Sequence, residues 1–266
     1  MIGIIGLGFV GSALFKSFQQ KKIDVKGYDK YKNGGIGSFE DILSSELCFL
    51  CLPTLFNEDI NEYDKIAIYE TCKLLEQADY HGVVVLKSTI EPETTNNLSQ
   101  TYPTLKICHN PEFLTARTAF EDFHNQTHIV LGKGSNCHDN DMKRLHDFYQ
   151  THYPKAEISL CESIESESMK IMCNSFYASK ITLFNEYYLA CQKNGSDFNR
   201  IRDLMLKNGW INPMHTTVPG TDGKLGYGGA CFIKDTKALC SYIESLESEN
   251  SILKSVIENN KVIRED

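Results

Sequence analysis

Residues 226–235 gather the most reactive set of side chains in the chain: Gly226-Tyr227-Gly228-Gly229-Ala230-Cys231-Phe232-Ile233-Lys234-Asp235. The small residues let a backbone come close to a ligand, and the cysteine follows at an expected helix start. A thiol ordinarily titrates near 8.5, and a helix N-terminus or a nearby cation lowers that value. The thiolate is then a nucleophile able to form a covalent intermediate. At helical spacing Cys231, Lys234 and Asp235 share one face. The plainer alternative is a buried structural cysteine after a glycine turn, because free cysteine is among the most buried residue types.

A second chemical pattern lies at the start of the chain. Gly6, Gly8 and Gly11 follow the apolar run Ile2-Gly3-Ile4-Ile5 in the spacing G-x-G-x-x-G. A helix is expected from Val10 to about Lys21, then a strand over Asp24–Tyr28 that ends at Asp29. In such a βαβ unit the glycines let a pyrophosphate approach a helix N-terminus, and the acid accepts hydrogen bonds from the adenosine ribose. Asp29 would also repel a 2′-phosphate, so the pattern reads as NAD, with Lys30 and Lys32 the hint of NADP.

The elements that must hold these groups follow from composition and periodicity. Of 266 residues 41% are hydrophobic and 23% charged, as in soluble globular proteins. A net charge of −8 disfavours nucleic acid or an acidic membrane surface as partner. No apolar run approaches the roughly 18 residues of a membrane span, and Met1–Gly6 reads as a strand, not a signal peptide. The ten cysteines are irregularly spaced and read as reduced thiols of a cytoplasmic protein. Cys48 and Cys51 lie in the strand-like Leu47–Leu52, whose alternation points them to opposite faces and excludes a shared metal. His124 and His128 lack the companion glutamate of a zinc helix and read as loop histidines.

The continuously apolar runs Leu47–Leu52 and Val83–Leu86 suit a parallel sheet covered on both faces. A helix is expected over Tyr63–Ala78, and further strands at 107–109, 129–132 and 158–160. Pro53-Thr54 and Lys87-Ser88-Thr89 fall at strand carboxyl ends, where open α/β sheets place ligand contacts. Residues 164–193 lack Gly and Pro and read as one long helix whose wide apolar stripe calls for burial on more than one side. Lys170 and Asn174 share a face of it, a snorkelling lysine beside an incidental asparagine being the plainer alternative. Helices are expected over 197–207, 233–246 and 251–262. The fold expected is a Rossmann-type, doubly wound parallel α/β sheet (1–162), followed by an all-helical domain built on the long central helix (163–266).

Six motifs now stand in order: Met1–Gly11, the strand ending in Pro53-Thr54, Lys87-Ser88-Thr89, Asn110-Pro111-Glu112-Phe113-Leu114, Lys170-x-x-x-Asn174, and Gly228-Gly229-x-Cys231-Phe232-x-Lys234-Asp235. Together they resemble the UDP-glucose/GDP-mannose dehydrogenases. Val218–Lys224 is most like a bacterial UDP-glucose 6-dehydrogenase subgroup. The resemblance implies oxidation of a sugar C6 alcohol to a carboxylate with two NAD molecules through an enzyme thioester. It implies Cys231 as nucleophile, Lys170 and Asn174 as partners of the oxygen developing at C6, Asp235 and Thr89 as positioners of a water, and Glu112 as acid/base. It assigns the cofactor to Gly6, Gly8, Phe9, Val10, Gly11, Asp29, Pro53, Thr54, Ser88, Thr89 and Lys234. It assigns the nucleotide sugar to Glu112, Phe113, Leu114, Lys170, Asn174, Tyr227, Gly228, Gly229 and Cys231, and no metal. It also implies a homodimer through the 164–193 helix.

Three positions depart from the family pattern. Ala116 stands where a second glutamate is usual, and Ile233 where a proline is. The sequence ends at Asp266, where the family normally continues into a UDP-binding, second dinucleotide-fold domain. The expectation is therefore weak UDP-glucose binding by this chain alone, relieved by a separate partner carrying the closing domain. Two other readings stay open. One is a weakly active or inactive NAD-binding partner subunit; the other is a dehydrogenase of the 3-hydroxyacid type, which uses no catalytic cysteine.

Overall fold

A computed structural model describes residues 1–264; the last two residues of the expected second domain, 265 and 266, lie outside the described residues. The backbone divides into two compact units, Met1–Leu55 with Tyr63–Lys170, and Phe56–Glu62 with the chain from Ile171 on. The strands are β1 (Ile2–Ile5), β2 (Val25–Tyr28), β3 (Leu47–Leu50), the two-residue β4 (Phe56–Asn57) and β5 (Glu62–Tyr63), β6 (Val83–Leu86), β7 (Lys106–His109), β8 (His128–Lys133) and β9 (Glu157–Glu162). The first unit holds helices α1 (Phe9–Gln20), α2 (Phe39–Ile42), α3 (Ile66–Gln77), α4 (Thr94–Thr101), α5 (Ala119–His124) and α6 (Asp139–His152). Then come α7 (Ser163–Asn194), α8 (Phe198–Leu206), α9 (Gly229–Ser245) and α10 (Ser251–Ile263).

In the first unit seven strands form a sheet in the order β2-β1-β3-β6-β7-β8-β9. Strand alternation sorts its side chains into two cores. Ile4, Phe49, Val85 and Leu131 face Leu14 and Phe18 of α1, Phe123 of α5 and Tyr149 of α6. Ile5, Leu50, Val84 and Ile107 face Ile42, Ile68, Leu75 and Leu98 on the opposite side. Burial on both faces is why these strands read as continuous apolar runs. Cys48 belongs to the second core and Cys51 packs against the first, so the CxxC pair is split across the sheet.

The sheet is mixed, not wholly parallel. β8 runs antiparallel to β7, pairing Cys108 with Lys133 and His109 with Gly132. Segment 110–127 leaves the carboxyl end of β7 and re-enters the sheet at that same end; an antiparallel neighbour needs no full crossover. The helix expected from Tyr63 begins at Ile66. The Tyr63 N–H instead donates to the buried Glu91 carboxylate at 2.5 Å, and Asp64 accepts the Ile66 N–H at 2.9 Å. The two histidines expected in a loop are not there: His124 closes α5 and bonds Ser17 Oγ at 3.0 Å, and His128 opens β8 opposite Glu157.

The second unit is organised along α7. Phe184, Cys191, Phe198 and Val218 form one apolar cluster, and Ala178, Tyr227 and Val256 another. Met172, Phe176, Leu183 and Tyr187 on the same helix stand exposed in the single chain. α9 starts four residues before the expected Ile233, with Gly228 as its N-cap, so Cys231 lies inside its first turn. Among the described residues no helix is long and apolar enough to cross a membrane, and no group of three or more His, Cys, Asp or Glu is placed to hold a metal.

Candidate functional site

The first unit presents the residues expected to hold the dinucleotide along the carboxyl ends of its strands. α1 begins at Phe9 with no side-chain cap and no acidic residue in its first turn, leaving its first N–H groups to an anion. Beyond its N-cap Gly8 there is open space, whereas a Cβ on Gly11 would meet the Gly6 carbonyl oxygen at 1.8 Å. The helix can therefore lie this close to β1 only with glycine at Gly11. Phe9 is 75% exposed at the mouth of a cleft of about 430 Å³ that Ser12, Lys16, Lys32, Arg117 and Phe120 also line. These features fit a bound pyrophosphate.

Asp29 follows β2 with its carboxylate turned toward the turn that joins β1 to α1. It accepts the backbone N–H of Leu7 at 2.7 Å, Tyr31 at 3.0 Å and Lys32 at 2.9 Å. Burial pushes its pKa up, but these N–H bonds and the Lys32 ammonium outweigh that and hold it below the usual value. A carboxylate offers about four lone-pair sites, so acceptor capacity remains for a ribose diol. The Lys32 ammonium donates to the Leu7 carbonyl and to Ser12 Oγ. At the next strand ends Ser88 Oγ accepts the Leu52 N–H at 2.9 Å and donates to the Leu52 carbonyl at 2.7 Å. Thr54 Oγ1 donates to the Thr89 carbonyl at 2.7 Å. The turn through Pro53 is thus strapped to the turn after β6, with Pro53 exposed, Thr54 buried and Thr89 half-buried.

The turn after β7 is gripped by two lysines. Lys87, fully buried, donates to Asn110 Oδ1 and to the Pro111 carbonyl, each at 3.1 Å. Burial draws its ammonium down to about 8. Asn110 in turn donates to the Val130 carbonyl and accepts from Tyr149. Lys170, at the start of the third turn of α7, donates to the Glu112 carbonyl at 2.5 Å and pairs with its carboxylate at 3.2 Å. The same ammonium lies 5.4 Å from the Phe113 ring centroid. Leu114 donates its N–H to Glu112 Oε2 at 2.6 Å, fixing the carboxylate from the other side. Lys87 carries a structural role that the sequence reading did not assign; its one signal was a lysine closing an all-apolar strand.

In the second unit Cys231 is exposed, so it is not the buried structural cysteine of the plainer alternative. One turn on, Asp235 is fully buried. Its Oδ2 accepts from Asn174 at 2.6 Å and its Oδ1 from Lys234 at 2.6 Å. Lys234, assigned to the cofactor from sequence, is thereby tied to its neighbour. Tyr227, assigned to the substrate, has its ring in the cluster with Ala178 and Val256 and its backbone bonded to Asn260. Gly228 and Gly229 lead directly from it into α9.

Two stretches of the chain match a known family. Residues 37–151 match the NAD binding domain of the UDP-glucose/GDP-mannose dehydrogenase family, and residues 164–262 match its central domain. A UDP-glucose 6-dehydrogenase of Rickettsia bellii is 29% identical over 227 residues, 84% of this chain and 50% of the relative. One from Bacillus subtilis is 32% identical over 186 residues, 67% of this chain and 40% of the relative. The solved UDP-glucose dehydrogenase of Pyrobaculum islandicum superposes with a TM-score of 0.85 at 25% identity, covering 98% of this chain and 68% of that one. The chain spans about half the length of the two curated relatives named here. An NAD-type strand–glycine–helix turn, a glycine-led cysteine helix and both family domains in order converge: the chain belongs to the UDP-glucose/GDP-mannose dehydrogenase family, NAD-dependent oxidoreductases.

Proposed function

We propose that this chain oxidises the C6 alcohol of a nucleotide sugar, UDP-glucose first among the candidates, to the carboxylate through a thioester on Cys231. One observation carries the reading: of the ten cysteines Cys231 alone is exposed, and it sits in the uncapped first turn of a helix. Helix N–H groups at that position favour a thiolate.

When bound, NAD would supply the hydride acceptor for C6 at each of the two oxidations. Gly8, the α1 N-terminus and Asp29 would hold its pyrophosphate and ribose. Cys231 Sγ adds to the C6 aldehyde to give a thiohemiacetal, and loss of hydride from that carbon leaves the thioester. Water then adds to the thioester carbonyl, the C–S bond breaks, and the thiolate returns with the carboxylic acid released. Lys170 supplies positive charge to the oxygen that becomes negative at C6. Asn174 retains one amide hydrogen beyond the one given to Asp235, available to the same oxygen. Asp235 and Thr89 position the water, and Glu112, held by Lys170, moves its proton.

A second copy of the chain is proposed as the cover for Met172, Phe176, Leu183 and Tyr187 on α7, giving a homodimer. Ten cysteines without a disulfide support a reducing, cytoplasmic setting. The test is incubation of the purified protein with NAD and, separately, UDP-glucose, a UDP-N-acetyl sugar and GDP-mannose. Two NADH per uronic acid formed from one of them is expected; no NADH from any of the three ends the reading.

A further inference from the structure

The four residues before α9 are held by side chains from two helices that the chemistry above does not use. Asn185 on α7, buried, accepts the Gly226 N–H at 3.0 Å and donates to the Ile181 carbonyl at 2.8 Å. Asn260 on α10, also buried, accepts the Tyr227 N–H at 2.8 Å and donates to the Tyr227 carbonyl at 3.0 Å. One amide thus closes both polar groups of one peptide residue. Arg264, just past α10, donates to the Leu225 carbonyl at 3.3 Å and pairs with Asp222 at 2.7 Å. Its guanidinium lies against Gly228, where a Cβ would come within 2.1 Å of Nη2.

We propose that Asn260 and Arg264 are positioning residues for Cys231. The inference rests on Cys231 being the reactive thiol. Gly228 is the N-cap of α9 and carries no side-chain cap of its own, so the direction in which α9 starts is set by what fixes residues 225–228. A helix end without local capping frays. Here the restraint comes from Asn260 and Arg264 through the loop backbone. Buried amides left without partners are costly, so Asn260 holds Tyr227 in one place and does not merely fill space. Cys231 follows Gly228 by three residues and inherits that placement. The physical consequence is that the N–H groups of the first turn and the thiol that follows them keep one mutual arrangement. Loosening the clamp disorders them, removes their support of the thiolate and slows reaction of the thiol at neutral pH.

The experiment measures the iodoacetamide alkylation rate of Cys231 in the full chain, located by peptide mass spectrometry, with no sugar present. Asn260→Ala and Arg264→Gln are compared with Phe198→Leu, which weakens the other apolar cluster of the same unit. A fivefold or greater slowing at Cys231 is expected in the clamp variants, with the pH midpoint of alkylation moved up. Phe198→Leu should alkylate at the wild-type rate despite its lower Tm. Should Asn260→Ala not fold, Arg264→Gln, whose side chain lies at the end of the described chain, still decides. A Cys231 rate and pH midpoint in the clamp variants equal to those of Phe198→Leu overturn the proposal. Because no sugar is turned over, this outcome is separate from failure of the dehydrogenase reading.

Discussion

Asn174 donates its amide to the Asp235 carboxylate at 2.6 Å, joining α7 to the first turns of α9 inside the second unit. Asp235 is fully buried, and its other oxygen takes the Lys234 ammonium. Neither carboxylate oxygen is left unused, and the buried charge is matched by a cation that is itself largely covered. Removing one member of such a set strands the others. Asp235→Ala is therefore expected to lower stability by about 3 kcal/mol, read from denaturant midpoints, whereas Asp235→Asn should lose less because an acceptor oxygen for Asn174 survives. Equal losses in the two variants would contradict the arrangement.

Asp29 has two duties, and they separate by mutation. It accepts three backbone N–H groups, and its remaining acceptor sites are proposed to take the cofactor ribose. Asp29→Ala should weaken NAD binding by about tenfold, the loss of one to two charge-assisted hydrogen bonds. NADP binding should fall less, because a like charge facing the 2′-phosphate disappears. Calorimetric titration of both cofactors into wild type and variant checks this; a wild type that binds NADP as tightly as NAD would contradict the role.

Glu167 gives the fold a pH dependence of calculable sign. Its carboxylate is wholly buried and accepts the Thr95 N–H at 2.8 Å and the Thr95 hydroxyl at 2.5 Å. Burial raises its pKa from the ordinary 4.5 to about 7, against the lowering effect of Thr95. The folded state thus holds the proton more tightly than the unfolded chain between those values. The contribution is fully present below about 4.5 and is lost as pH rises through about 7. Unfolding free energies across that window should fall toward neutrality by about 2–3 kcal/mol from this group. Glu167→Gln should remove that slope; a slope unchanged in Glu167→Gln would refute the assignment.

Much of the first unit was legible in the sequence because its signals are local. The Gly6–Gly11 turn and the apolar strands carry their own periods, and the ordering of Lys87-Ser88-Thr89, Asn110–Leu114 and Lys170-x-x-x-Asn174 pointed to the family. What escaped depends on partners distant in sequence. Tyr63 leaves the expected helix because Glu91, 28 residues away, takes its N–H. The reversal of β8 is set by how 110–127 returns to the sheet, which no window of periodicity contains. Asn260 and Arg264 belong to none of the motifs read from the sequence. Their role exists only because α10 returns to the 222–228 loop. Lys87 read as a ligand-facing residue at a strand end, yet it is sealed inside the turn that it supports.

The central claim is that Cys231 carries the sugar covalently. Its direct test is intact-protein mass spectrometry of an acid-quenched reaction of the chain with NAD and UDP-glucose, with peptide mapping of the product. An adduct of the sugar nucleotide on Cys231 is expected in the wild type. Cys231→Ala should show neither adduct nor uronic acid while binding NAD unchanged. Uronic acid formed by Cys231→Ala at the wild-type rate would contradict the account.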